Sequence, residues 1–422
     1  MKLLIIMNKV IRLFFVLLLT NNLSAQVSTS SPYSRFGLGD LVSTSFSEYS
    51  SLGGGVTSLV DEYSINSCNP ATFSFIGVNS FLLSTGGVYK NMTINNSSTS
   101  QVTNNTSFSH LAIAFPLNNK IGASIGMLPY SNIGYNIDTW NEEYSASLLY
   151  SGDGGITKVY FGSAYKLSKD LSVGVNASYL FGGLNKRKKV MYSDETFFNS
   201  RSNSQINLQG YYYEAGLLYR KKISENRRVS FGLTMNNNSS IRAKRNDLME
   251  TFEYSGTIEI PKDTFQNYTE WGFITLPKNI SAGVSYYEGK KLLVVFDYSS
   301  QNWSEYSLFE EKDDLQNSSR FSAGVQYTPD YNSVTKYYRR MEYRMGFSYH
   351  NTPLQFDNNQ LQERTFSVGL GIPVRKSRTQ YDLSVMIGDR GTTEDNLLKE
   401  NFIKIGLSVT YDGIWFVKRK YD

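Results

Sequence analysis

The sequence predicts an all-β fold, a transmembrane antiparallel β-barrel of 14 strands with an N-terminal lumen plug, and three observations predict it. First, runs such as residues 402–411 alternate. Ile403, Ile405, Leu407, Val409 and Tyr411 oppose Lys404, Gly406, Ser408 and Thr410, so a period of two collects the apolar residues on one face. A run of about 10 residues is what a tilted strand needs to cross a bilayer core. Second, the links between runs are short and long by turns, as in barrels with tight turns on one side of a membrane and long loops on the other. Third, 31 Tyr, 25 Phe and 33 Gly stand against 9 Pro, a composition that suits strands and membrane interfaces. Past residue 25 no run of about 18 apolar residues offers a transmembrane helix.

Residues 1–25 read as a signal peptide. Lys2, Lys9 and Arg12 precede the apolar run 13–19, Met7 is an alternative start, and Leu23-Ser24-Ala25 offers a small-residue cleavage site. The one cysteine, Cys68, is far from that site, which excludes a lipoprotein anchor on a processed N-terminal Cys. Residues 26–77 do not alternate. They hold the run 31–40, then Gly53-Gly54-Gly55, then the run 66–75 around Asn69-Pro70-Ala71. Such irregular backbone needs a home inside protein or a wet lumen, so these six residues form the expected plug motif. The alternative is a periplasmic leader.

Residues 78–422 are expected to form the barrel and a short periplasmic tail. Strands are placed near 79–90, 107–117, 120–128, 157–167, 171–182, 206–220, 228–236, 278–287, 291–299, 318–327, 341–350, 365–373, 379–388 and 402–411. Leu171, Val173, Val175, Ala177, Tyr179 and Phe181 oppose Ser172, Gly174, Asn176 and Ser178. Glu342 and Arg344 would be costly in lipid, so their face points inward. Long polar links at 91–106, 129–156, 183–205, 237–277, 300–317, 351–364 and 389–401 fall on the outer side, and runs near 144–150 and 249–259 add hairpin structure there. The link 328–340 is long for an inner turn. Pro116, near a strand end, permits a lateral opening without establishing one.

Little in the chain carries catalysis. His110 and His350 both fall on polar strand faces and read as satisfied lumen side chains; no cluster has metal-ligand spacing, and the acidic loop 305–314 reads as solvated. Gly53-Gly54-Gly55 lacks the Lys and Ser/Thr of a phosphate loop. No catalytic residue, cofactor or metal ligand is expected. Removing Lys2, Lys9 and Arg12 lowers the formal charge from +5 to +2, which gives no argument for a nucleic-acid partner. Basic groups cluster at 220–228, 375–378 and 418–420 on the inner side, where they meet lipid head groups or solvent, and Lys186–Lys189 on the outer side face anionic lipopolysaccharide.

The early glycine-rich run with Asn69-Pro70-Ala71, the run 111–117 ending in Phe115-Pro116-Leu117, and Leu276-Pro277 leading into a strand with Gly283 resemble the long-chain fatty acid transporter (FadL-like) family of outer-membrane proteins. Residues 31–40 and the ending 415–422 resemble its Bacteroidetes branch. The resemblance implies a plugged 14-stranded barrel in the outer membrane of a Gram-negative bacterium, taking up hydrophobic small molecules passively. A structural or shuttle subunit of a larger outer-membrane complex for protein secretion or assembly is the alternative. The expected partners are outer-membrane lipid, a hydrophobic small molecule in the lumen and, under the alternative, an outer-membrane protein.

Overall fold

The computed structural model describes residues 29–42, 46–194, 196–356, 358–375, 377–394 and 397–414. The signal-peptide reading and the basic ending 418–420 lie outside these residues. After the short β1 (Asp40–Leu41) and the one-turn helix α1 (Ser47–Ser50), the chain enters a series of long strands. These are β2 (Ser80–Asn95), β3 (Ser100–Pro116), β4 (Ile121–Asn141), β5 (Ala146–Lys166), β6 (Leu171–Tyr192), β7 (Asn199–Lys222) and β8 (Arg227–Asn236). A hairpin follows, β9 (Ser239–Ser255) and β10 (Ile258–Leu276), then β11 (Asn279–Glu288) and β12 (Leu292–Gln301). The two-residue strands β13 (Ser307–Leu308) and β14 (Glu311–Lys312) sit in the next loop. The last five are β15 (Ser318–Tyr327), β16 (Glu342–Phe356), β17 (Asn359–Pro373), β18 (Gln380–Arg390) and β19 (Lys399–Ile414).

Fourteen of these close an antiparallel barrel, as expected. The seam is β19 on β2, in register from Ser80↔Ile414 to Asn95↔Lys399. Closure pairs each barrel strand with two neighbours, save along the upper parts of β3 and β4, as a bilayer demands, because an unpaired N–H or C=O there would cost several kcal/mol. The period of two sorts the faces as read: Val175, Leu217, Leu407 and Met345 are exposed outward, while Asn176, Ser172, Ser384 and Arg344 are buried inward.

The wall is taller on one side than the sequence suggested. β6 and β7 have 22 and 24 residues, whereas β8, β11, β12 and β15 have 10 each. Much of what was expected as loop at 129–156, 183–205 and 237–277 is strand. Beyond the membrane the outward face of a strand is polar and meets water, so the alternation that marks a lipid-facing strand weakens there, although inward residues such as Ile133, Leu184 and Ile241 are buried. β7 pairs with β8 along its lower part, Glu214↔Asn236 to Lys222↔Arg228, and with β9 higher up, Asn199↔Phe252 to Gln209↔Arg242. β9 and β10 thus prolong the wall above β8 and β11. The hairpin turns at Gly256, whose φ of 64° suits glycine.

Two apolar clusters fill the interior. The lower one joins Phe46, Tyr49, Leu52 and Phe73 to Leu82, Tyr160 and Val295 of the wall. The upper one joins Leu38 and Ile133 to Ile206, Ile241 and Ile274, beneath Trp303, Tyr306 and Phe309 of the outer loop.

Candidate functional site

The segment from Phe46 to Ile76 lies against the inner wall, and small residues make the fit. A Cβ on Gly174 would fall 2.5 Å from the Ala71 amide nitrogen, one on Gly216 2.2 Å from Asn69 Oδ1, and one on Gly232 2.0 Å from the Thr57 carbonyl oxygen. Gly346 and Gly324 meet Gly53 and Leu52 as closely. Several of these wall glycines are direct cross-strand partners: Gly174↔Gly216, Gly232↔Gly283 and Gly324↔Gly346. Together they make a side-chain-free girdle around the segment.

The six motif residues fall into two places. Gly53 and Gly54 have φ of 73° and 81°; a Cβ on Gly53 would lie 2.5 Å from the Phe347 carbonyl oxygen, and one on Gly55 3.4 Å from the Val295 methyls. Just beyond, Asp297 accepts from the Val56 and Thr57 amides, each at 2.6 Å. Pro70 opens the 3-10 turn Pro70–Phe75, and Asn69 caps it, accepting from the Ala71 amide at 3.0 Å. The Asn69 amide group donates to the carbonyls of Thr57 at 2.6 Å and Leu217 at 3.2 Å, so one side chain ties turn, neighbouring loop and wall. Such a cap contributes about 1 kcal/mol.

The barrel wall is incomplete between β3 and β4. Their register runs only from Leu111↔Met127 to Pro116↔Gly122, although β3 continues up to Ser100 and β4 to Asn141. Two bulges lie where they part. The β2–β3 register shifts beside Gly86, leaving Ser109 as the extra residue, and the β4–β5 register shifts after Pro129, leaving Tyr130. A bulge bends its strand, and Pro129 has no N–H to offer a ladder. β1 occupies part of the gap: Asp40↔Asn132 and Leu41↔Ser131 pair antiparallel on the bare edge of β4, and the Val42 amide donates to the Tyr130 carbonyl at 3.0 Å. Gly39 permits the approach; with φ of 91°, its Cβ would lie 2.5 Å from the Asn132 carbonyl oxygen. Leu38 and Ile133 of this seal belong to the upper apolar cluster, and Leu41 and Tyr130 pack against it.

Charges fasten the segment at two buried points. Arg390 donates to Asp40 at 2.9 Å, to Glu400 at 2.6 and 2.9 Å, and to Ser31 Oγ at 2.6 Å, while Tyr33 O–H donates to the Leu398 carbonyl at 2.5 Å. Burial opposes ionisation of Asp40, but Arg390 and Lys90 outweigh it and hold the carboxyl at about 2. Lower down, Arg344 donates to Asp382 at 2.6 Å and to Glu342, and Glu48 of α1 faces this pair of carboxylates. Burial, with Asp382 next, pushes the Glu48 carboxyl well up, and its Oε1 has no partner among the described residues. Burial and the neighbouring Asp382 carboxylate together favour the neutral form of Glu48.

His110 and His350 lie on β3 and β16 and do not meet. His110 Nε2 and Nδ1 bond Ser84 Oγ at 2.9 Å and Ser109 Oγ at 2.8 Å, and its ring stacks on Phe46 at 3.7 Å. The outer basic run divides: Lys186 and Lys188 alternate inward, Arg187 is paired to Asp153 at 3.4 Å, and Lys189 to Glu259 at 2.5 Å. At the short-turn end a cavity of about 400 Å³ is lined by Glu62, Phe75, Lys166, Arg220 and Arg228. Neither the wall gap nor its β1 seal was anticipated. The available signal is a phase slip, since outward apolar positions run Phe108 then Leu111, and inward ones Leu128 then Ile133.

Several solved structures share this architecture. The P. putida toluene transporter TodX aligns with a TM-score of 0.61 at 14% identity over 90% of this chain and 100% of that one. The Ralstonia pickettii toluene transporter TbuX gives 0.60 at 14% over 89% and 99%. A Pseudomonas aeruginosa FadL homologue gives 0.60 at 11% over 89% and 99%. The barrel type expected from the resemblance is therefore present. No curated protein matches the chain. A family model described as BamG matches residues 7–422.

Proposed function

The chain belongs to the BamG family, and from its wall gap and apolar interior we propose that it is an outer-membrane barrel of a Gram-negative bacterium that passes small hydrophobic molecules passively into the bilayer. The observation that carries this reading is the continuity of apolar side chains from Phe309 and Trp303, in the outer loop, to Leu38, Ile133, Leu41 and Tyr130 at the gap. An apolar molecule following these side chains never has to cross the charged cavity at the short-turn end, and its gain on entering lipid, about 25 cal/mol per Å² of apolar surface, needs no other energy source. The toluene transporters that share the fold suggest ligands of monoaromatic size. β1 acts as the seal, held at one end by Arg390. The test uses the register pair Leu41↔Ser131. With Cys68→Ser as background, Leu41→Cys/Ser131→Cys should block uptake of a hydrophobic fluorophore into proteoliposomes when oxidised, and dithiothreitol should restore it. Uptake indifferent to the cross-link overturns the conduit.

A second reading, a subunit of a larger outer-membrane complex, draws on the family membership and on one observation. Among the described residues β10 has no second strand neighbour from Ile258 to Gly272, and an exposed edge of that length is a template for another chain. A complex that survives mild detergent in the unaltered protein and dissociates in Ile258→Lys/Ile260→Lys favours it.

A further inference from the structure

We propose that the outward face of β7, β9 and β10, at the foot of the tall wall, binds a phosphorylated glycolipid of the outer leaflet through Arg242 and Lys244. The site goes beyond the conduit reading and rests only on its membrane placement. Arg242 and Lys244 lie two residues apart on the outward face of β9, and both stand over the Trp271 ring of β10, at 4.5 and 5.6 Å from its centroid. Neither is ion-paired among the described residues, unlike Arg187, Lys189 and Arg201 on the same face. Two like charges held side by side on one indole with no acid between them are arranged for an anion.

The register fixes their height. Arg242 pairs with Gln209 on β7 and Phe273 on β10, one outward position above the exposed Tyr211, which with Tyr179 and Tyr213 forms an outward aromatic belt. Lys244 pairs with Asn207 and Trp271. Beneath them the lipid-facing strands end with Met235 on β8 and Ile280 on β11, both exposed. The cations thus fall where phosphates of an outer leaflet lie, just above the acyl boundary.

The surrounding groups select the rest of the ligand. Gln205, Asn207, Gln209, Asn246 and Thr269 alternate outward around the two cations, all neutral and able to bond sugar hydroxyls, before the wall becomes ionic at Arg201, Glu250 and Glu259. Phosphate-seeking cations between an amide-rich wall and an aromatic belt match a phosphorylated disaccharide carrying acyl chains better than a soluble anion.

Native mass spectrometry of the detergent-purified full chain with bis-phosphorylated lipid A tests this, with dephosphorylated lipid A and inorganic phosphate as the other arms. The unaltered protein should retain bis-phosphorylated lipid A. Dephosphorylation, or Arg242→Gln/Lys244→Gln, should each weaken retention by about tenfold or more, the worth of a charge-assisted bond. Millimolar phosphate should not compete. Equal retention of both lipids, or by both proteins, overturns the site, and competition by phosphate reassigns it to a soluble anion. Heat-modifiable electrophoretic mobility confirms that the variant is folded. The Leu41–Ser131 cross-link should leave lipid A retention intact, so failure of the conduit and failure of this site are read separately.

Discussion

Gly216 shows how little room one residue can leave. Its missing side chain is replaced by Asn69 Oδ1, which would lie 2.2 Å from a Cβ. Gly216→Val should therefore unseat the turn Pro70–Phe75 and raise single-channel conductance in planar bilayers, whereas Ala215→Val, one position away on the lipid face, should leave the barrel closed. Glu48 is the second informative residue. A carboxyl whose folded value lies above its ordinary 4.5 takes up its proton on folding, so its contribution is complete below about 4.5 and is lost as pH rises toward the folded value. Glu48→Gln should remove that dependence and stabilise the neutral-pH protein by roughly 1–3 kcal/mol, read as thermal midpoints across the pH range. Asp40 behaves oppositely: its contribution, held by Arg390, is present above 3.8 and lost as pH falls through about 2.

At the scale of the element, β6 separates the faces most clearly. Val175→Arg, within the lipid-facing part of the strand and 52% exposed, should cost roughly 2–4 kcal/mol and impair assembly, measured by urea titration of heat-modifiable mobility. Asn176 points inward, but a polar lumen position is not a roomy one here: its amide donates to the Ser67 carbonyl at 3.0 Å, so Arg at that position should displace the inner segment while the strand still inserts. This is also where the sequence stops being legible. Alternation placed all the barrel strands because one face meets lipid along each of them. It could not place the contacts of Asn69 or Gly216, which depend on registers set across the whole barrel. The bulges at Ser109 and Tyr130 were written only as slips of phase, and a slip does not say which neighbouring ladder it breaks.

Across the whole molecule the wall rises where β4–β7 and the β9–β10 hairpin continue past the bilayer, and falls away at β8, β11, β12 and β15. A small epitope inserted at the Gly256 turn should be labelled on intact cells, and failure to label it would reverse the orientation. The composition carried the barrel, yet it hid this asymmetry, because the outward faces of strands above the bilayer use the same Asn, Thr, Ser and Lys as hydrated loops.

The seam between β2 and β19 bears on the order of events during folding. Ser80 and Ile414 are partners, so the ring cannot shut until nearly the entire chain has been delivered, and joining such distant ends is slow. The inner segment comes before all of it and touches strands from both halves: Asn69 reaches β7, and Glu48 faces Arg344 and Asp382 on β16 and β18. We predict that such a segment is a mandrel, holding early and late strands near one another before they pair. Deleting residues 26–77 should slow refolding into detergent micelles more than it lowers final yield, and an unchanged rate would leave the segment a passenger in the folding reaction.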